Sequence, residues 1–151
     1  MAASSTQSTC KEKIETVIVN GDSMLPLLKN QQEVSLDLNY YSCHEIQKSD
    51  VIVFEVQGRK NRIVKKVYGV PGDKFEYKNN FLSVNGQRLH NSAGKDFKIS
   101  SKMLELYANS YPTLPKDSYL VLGDQPGGSF DASRMGLIDR KQILGKVKLA
   151  P

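Results

Sequence analysis

From Thr16 to Leu149 the apolar residues of this chain come in short alternating or β-branched runs, each cut off by Gly, Asn, Asp or Pro. Successive side chains of a strand point to opposite faces, so such runs cover one face of a sheet, and the interrupting residues are those that turn a backbone sharply. The pattern predicts an all-β or mainly β domain. Strands are expected at Thr16 to Val19, Val34 to Leu38, Val51 to Val56, Ile63 to Tyr68, Lys74 to Tyr77, Phe81 to Val84, Ser118 to Leu122 and Leu144 to Leu149. Asn85-Gly86 between two such runs predicts a two-residue hairpin, because both turn positions must accept positive φ. One helix is expected, Lys102 to Ala108, capped by Ser101 and offering Met103, Leu104 and Leu106 as its apolar side; Asp139 to Ile143 is a second, weaker helical candidate.

A chain of 151 residues suits one domain with a single substantial core. No apolar run approaches the roughly 18 residues of a membrane span. Met1 to Thr9 has neither a basic nor an apolar region of the kind an export signal carries. Residues 1–12 read as a flexible polar leader or an expression remnant, and 13–151 as the domain. The net charge of +5 is spread among acids without a basic block or helix face. A nucleic-acid partner therefore lacks support, and an anionic lipid surface accounts for the charge equally well. The two cysteines, Cys10 and Cys43, are too few for a disulfide scaffold or a structural zinc site and are read as ordinary thiols.

No metal-hydrolase, phosphate-cradling or dinucleotide motif is present, and no cofactor or metal is expected. His44 lies in a polar loop and His90 follows the hairpin; both read as surface residues outside any triad context. A hydrolase without histidine, metal or reactive cysteine needs another base, and lysine serves when it is desolvated. Holding a lysine neutral at pH 7 takes a shift of about 3.4 units from its usual value near 10.4, roughly 4.6 kcal/mol. Ile63-Val64-Lys65-Lys66-Val67 puts two lysines in a β-branched strand, where alternation sends one inward and one outward. Asn20-Gly21-Asp22-Ser23-Met24 is a turn after an apolar strand. Each segment alone is as well explained by a solvated strand face or a plain turn.

Taken together and in order, these segments resemble the boxes of type I signal peptidases. Gly21-Asp22-Ser23-Met24-Leu25-Pro26-Leu27-Leu28 resembles the nucleophile box. Ser49-Asp50-Val51-Ile52-Val53-Phe54 is similar to the following strand box, with Ser49 where glycine is usual. Ile63 to Asp73 resembles the lysine box, and Leu122-Gly123-Asp124-Gln125 through Ser129-Phe130-Asp131-Ala132-Ser133-Arg134-Met135-Gly136 the last box. The resemblance runs from about Ile18 to Val147 and implies a catalytic core of antiparallel sheets with one or two short helices. The short stretch from Asp73 to Gly123 implies that the accessory insertion of larger members is mostly absent.

By this resemblance Ser23 is the nucleophile and Lys65 its general base, Ser129 orients the Lys65 amine, and the Ser23 N–H belongs to the oxyanion hole. Asp131 and Arg134 would form a bracing ion pair, although Ser133 occupies the place of the family's arginine and Arg134 follows one position later. Some members add a hydroxyl two residues before the nucleophile, where this chain has Gly21. Val19 and Met24 would line shallow pockets for the small residues of an Ala-x-Ala site. The implied partners are a preprotein or signal-peptide substrate and a membrane lipid surface. The implied location is the extracytoplasmic side of a membrane. The anchoring helix that members carry upstream of the nucleophile box is missing, which is read as removal for expression. Three other readings stay open: a specialised processing peptidase of the conjugative-pilin or mitochondrial inner-membrane type, a self-cleaving repressor-like domain, and a non-catalytic binding domain.

Overall fold

The computed structural model describes residues 11–58, 60, 62–128 and 137–149. Its elements, in chain order, are β1 (Ile14–Ile18), β2 (Glu33–Asp37), β3 (Val51–Phe54), β4 (Ile63–Gly69), β5 (Phe75–Lys78), β6 (Phe81–Val84), β7 (Gln87–Arg88), helix α1 (Lys102–Ser110), β8 (Ser118–Leu122), β9 (Ile138–Asp139) and β10 (Ile143–Lys148). Seven strands form one sheet in the order β1-β2-β10-β3-β4-β8-β9, and β5-β6-β7 form a second. Neighbours in both are antiparallel. The mainly β, antiparallel expectation is met.

Alternation along β3 divides the core. Val51 and Val53 pack with Val19, Met24, Leu28 and Leu36, whereas Ile52 and Phe54 pack with Val67, Tyr119 and Val121. A third cluster, including Tyr68, Leu82, Phe97, Leu104 and Leu122, joins the small sheet and α1 to the main sheet. Close strand approach is sharpest at Gly145, where a Cβ would stand 2.3 Å from the Asp37 carbonyl oxygen; only glycine lets β10 pair with β2 there.

The hairpin at Asn85-Gly86 forms with φ of +52° and +82°, pairing Val84 with Gln87. In α1 the Ser101 side chain caps by accepting the Leu104 N–H at 3.1 Å. The expected apolar side needs correction. Leu104 alone is buried among the helix's residues, with Ala108 packed against the same cluster, while Met103 and Leu106 are exposed. The i, i+4 spacing puts Leu104 and Ala108 on one face, while Met103 and Leu106 lie on the exposed side of the helix. Asp139 caps a single 3₁₀ turn, Arg140–Gln142, in place of the second helix.

The thiol expectation is overturned. Cys43 is disulfide-bonded, and the other cysteine of the sequence, Cys10, lies outside the described residues. Sequence separation carried no sign of this bond, because cross-linking depends on proximity in space. Disulfides typically contribute about 2–4 kcal/mol, so reduction is expected to lower the unfolding free energy by that amount, read as a fall in Tm under a thiol reductant.

Two phenols, one half-buried at Tyr41 and one buried at Tyr68, bear on alkaline stability. The Tyr41 hydroxyl donates to Asp50 Oδ2 at 2.8 Å, while the Tyr68 hydroxyl is buried with no hydrogen-bond partner among the described residues. Burial first, and then the Asp50 carboxylate beside Tyr41 and the Asp124 charge near Tyr68, push both phenols well above the usual tyrosine range. The unfolded chain ionises its tyrosines from about pH 10, whereas these two keep their protons in the fold. Above that pH the unfolded state binds fewer protons, so stability falls as pH rises. Urea unfolding between about pH 9 and 11 is expected to show this decline, flattened in a Tyr41→Phe, Tyr68→Phe double variant.

Candidate active site

Chain entry from β1 is clamped by backbone bonds from the Val19 N–H to the Gln32 carbonyl at 2.9 Å and from the Gln31 N–H to the Val19 carbonyl at 2.7 Å. Gly21 N–H donates to Asn30 Oδ1 at 2.7 Å. The chain then turns through Ser23, with the Leu25 N–H on the Asp22 carbonyl at 3.1 Å and the Leu28 N–H on the Met24 carbonyl at 2.8 Å. Met24 and Leu28 sink their side chains into the core and anchor the turn from below. Ser23 stays half-buried at its surface.

Facing this turn is the start of β4. Strand alternation separates the two lysines: Lys65 is only 2 % exposed, while Lys66 is half-buried with its ammonium 5.5 Å from the Tyr68 ring centroid. Ser23 and Lys65 line one cleft of about 210 Å³, together with Ile18, Val19, Met24 and Val64 among others. β3 pairs with β4 from Ile63 to Lys66, but β8 pairs only from Lys66 onward. The register with β8 thus begins one residue beyond Lys65, at the edge of the cleft.

A residue to which sequence reasoning assigned no role ties the site together. Asp124, 1 % exposed, donates its N–H to the Ser23 carbonyl at 2.8 Å. Its carboxylate accepts the Leu27 N–H at 3.0 Å, the Ser92 N–H at 2.9 Å and the Ser92 hydroxyl. Asn91 Nδ2 donates to the Asp124 carbonyl at 2.9 Å, and Gln125 Nε2 donates to the Asp22 carbonyl at 2.8 Å. The Gly123-Asp124 pair stood inside a quoted box; Asn91 and Ser92 belonged to no motif.

The other expected site residues are placed as follows. Val19 and Met24 border the cleft but are themselves buried in the core. Gly21 has φ of +87°, a conformation that L side chains rarely adopt, which accounts for glycine where some relatives of the resembled family carry a hydroxyl. Ser129, Asp131 and Arg134 lie outside the described residues. His44 and His90 are exposed, as expected.

An antiparallel β domain whose cleft joins a turn serine to a buried strand lysine belongs to the class of serine peptidases. The family model described as "Signal peptidase, peptidase S26" matches residues 6–150, and the chain belongs to that signal peptidase family. It is 38% identical over 141 residues to signal peptidase IB of Staphylococcus aureus, a match covering 85% of this chain and 73% of that protein. It is 33% identical over 139 residues to signal peptidase I P of Bacillus subtilis subsp. natto, covering 89% and 75%. The crystal structure of a signal peptidase I from Enterococcus faecalis V583 matches with a TM-score of 0.52 at 25% identity, covering 70% of this chain and 98% of that one.

Proposed function

We propose that this chain removes N-terminal signal peptides from exported preproteins, with Ser23 as nucleophile and Lys65 as general base. The observation that carries this reading is the shared cleft, which brings a half-buried turn serine and a lysine only 2 % exposed to one cavity. Desolvation disfavours the charged ammonium, so a buried lysine can hold the free electron pair a base needs. Lys65 Nζ takes the Ser23 hydroxyl proton as Oγ attacks the scissile carbonyl, then delivers it to the departing amine. A water deprotonated by Lys65 Nζ then attacks the acyl carbon, the bond from that carbon to Ser23 Oγ breaks, and Oγ takes the proton back from Nζ. The Ser23 N–H stabilises the oxyanion. In this reading Ser129, Asp131 and Arg134 keep the roles that the family resemblance implies for them.

An extended substrate would lie along the cleft between the Ser23 turn and the start of β4. Small residues of an Ala-x-Ala type would seat beside Val19 and Met24. The membrane surface fits the exposed Ile14, Ile18 and Leu149 and the excess of cationic side chains, a combination favourable at anionic lipid. None of the described helices is long and apolar enough to cross a membrane. In this reading the domain works on the extracytoplasmic face and takes no nucleic acid as partner.

The test is cleavage of a fluorogenic Ala-x-Ala peptide, with lipid vesicles present, by the parent and by Lys65→Met. Cleavage by the parent that disappears in the variant supports the reading, and equal cleavage by both overturns it. Several unrelated preproteins offered in parallel distinguish a general signal peptidase from a specialised one, which would cut only one.

A further inference from the structure

We propose that Ser92, in the loop that leaves the three-stranded sheet, is a positioning residue for the nucleophile, acting through Asp124. The inference rests on the assignment of Ser23 as nucleophile. Ser92 reaches Asp124 twice, through its N–H at 2.9 Å and through its hydroxyl. Asp124 in turn holds the turn that carries Ser23 at two points. Its N–H binds the Ser23 carbonyl at 2.8 Å, and its carboxylate binds the Leu27 N–H at 3.0 Å. A hydroxyl on a buried carboxylate is a charge-assisted donor, stronger and more directional than a neutral one.

The loop is itself built to aim Ser92. Asn91 Oδ1 accepts the Ala93 N–H at 3.0 Å and the Lys95 N–H at 2.9 Å. The Asn91 N–H donates to the Lys95 carbonyl at 2.8 Å, and its Nδ2 holds the Asp124 carbonyl. The backbone N–H of Ser92 is thereby presented to Asp124 Oδ1, and its side chain to Oδ2. Ser92 does not line the cleft that Ser23 and Lys65 share, so its effect on the reaction passes through the placement of Ser23. The small sheet, whose core packing otherwise looks like mere support, becomes a part of the catalytic apparatus.

The experiment compares parent, Ser92→Ala and Ser92→Thr in two ways: kcat and KM on the Ala-x-Ala peptide, and amide hydrogen exchange at Leu27 and Asp124. Small displacements of a reacting group can cost up to about 100-fold in rate. Ser92→Ala is expected to lower kcat about 10-fold or more with KM changed by less than about twofold. Exchange at Leu27 and Asp124 should quicken while Leu82, in the small sheet, keeps its protection, and Ser92→Thr, which retains the hydroxyl, should restore both. Unchanged exchange at Leu27 overturns the inference, as does faster exchange without a fall in kcat, or a loss of protection spread evenly over both sheets. If the parent itself does not cleave, the proposed function fails, and the exchange comparison still decides whether Ser92 positions the turn.

Discussion

Lys65→Met is expected to lower kcat/KM by at least about 1,000-fold while leaving the folded protein as stable as before or more so. A positioned general base contributes on the order of 10²–10⁴ in rate, and a serine hydroxyl has little nucleophilicity without one. Methionine matches the length and volume of the lysine stem while carrying no group that must be desolvated. Among the described residues Lys65 is the one buried lysine; desolvating its amine costs free energy that an apolar side chain does not incur, beyond what its own contact returns. Catalysis and stability should therefore move in different directions. Activity on the Ala-x-Ala peptide and thermal unfolding, measured on the same preparation, check both. Activity retained in the variant would remove Lys65 from the mechanism, and a fall in Tm would show that its contact also supports the fold.

Asp124→Ala should act on both quantities at once. Truncation leaves the Leu27 N–H, the Ser92 N–H and the Ser92 hydroxyl without their acceptor, in a site where Asp124 is 1 % exposed. Hydrogen bonds to charged groups are worth about 1.5–3 kcal/mol each, and buried donors left unpaired cost a similar amount. Since the three share one carboxylate and are not additive, a loss of about 3–5 kcal/mol is expected. Urea unfolding measures it directly. Asp124→Asn should recover little, because a carboxamide presents one acceptor oxygen and turns an N–H₂ group toward donors. At temperatures where the variant remains folded, kcat should still fall, since the Ser23 turn has lost its brace at Leu27. A variant with parental kcat and lowered stability would confine Asp124 to a structural role.

Most of the sheet was readable from local pattern. The β-branched run within Ile63 to Tyr68 and the unbroken apolar run at Val51 to Phe54 mark strands irrespective of their partners, and Asn85-Gly86 defines its own turn by the φ values it tolerates. Where the reading went astray, the missing information was distant in the chain. Met103, Leu104 and Leu106 look equally apolar in sequence, yet Leu104 alone finds the cluster that includes Phe97, Leu82 and Leu122. The bond at Cys43 depended on a spatial neighbour that spacing does not reveal.

The site divides in the same way. Ser23 and Lys65 could be picked out because each sits in a box whose residue types match a known family, and alternation already implied that one of two adjacent lysines turns inward. Which of them is buried, and the cavity it shares with Ser23, followed from packing between segments far apart in the chain. Asp124 meets Ser92 across 32 residues and Leu27 across 97, so no local signal could announce that wiring. Strand, turn and residue chemistry are short-range properties set by each residue's own backbone and side chain. Desolvation and hydrogen-bond partnership exist only between residues that folding brings together, and those two decide how the lysine is shielded from water and how the serine is held.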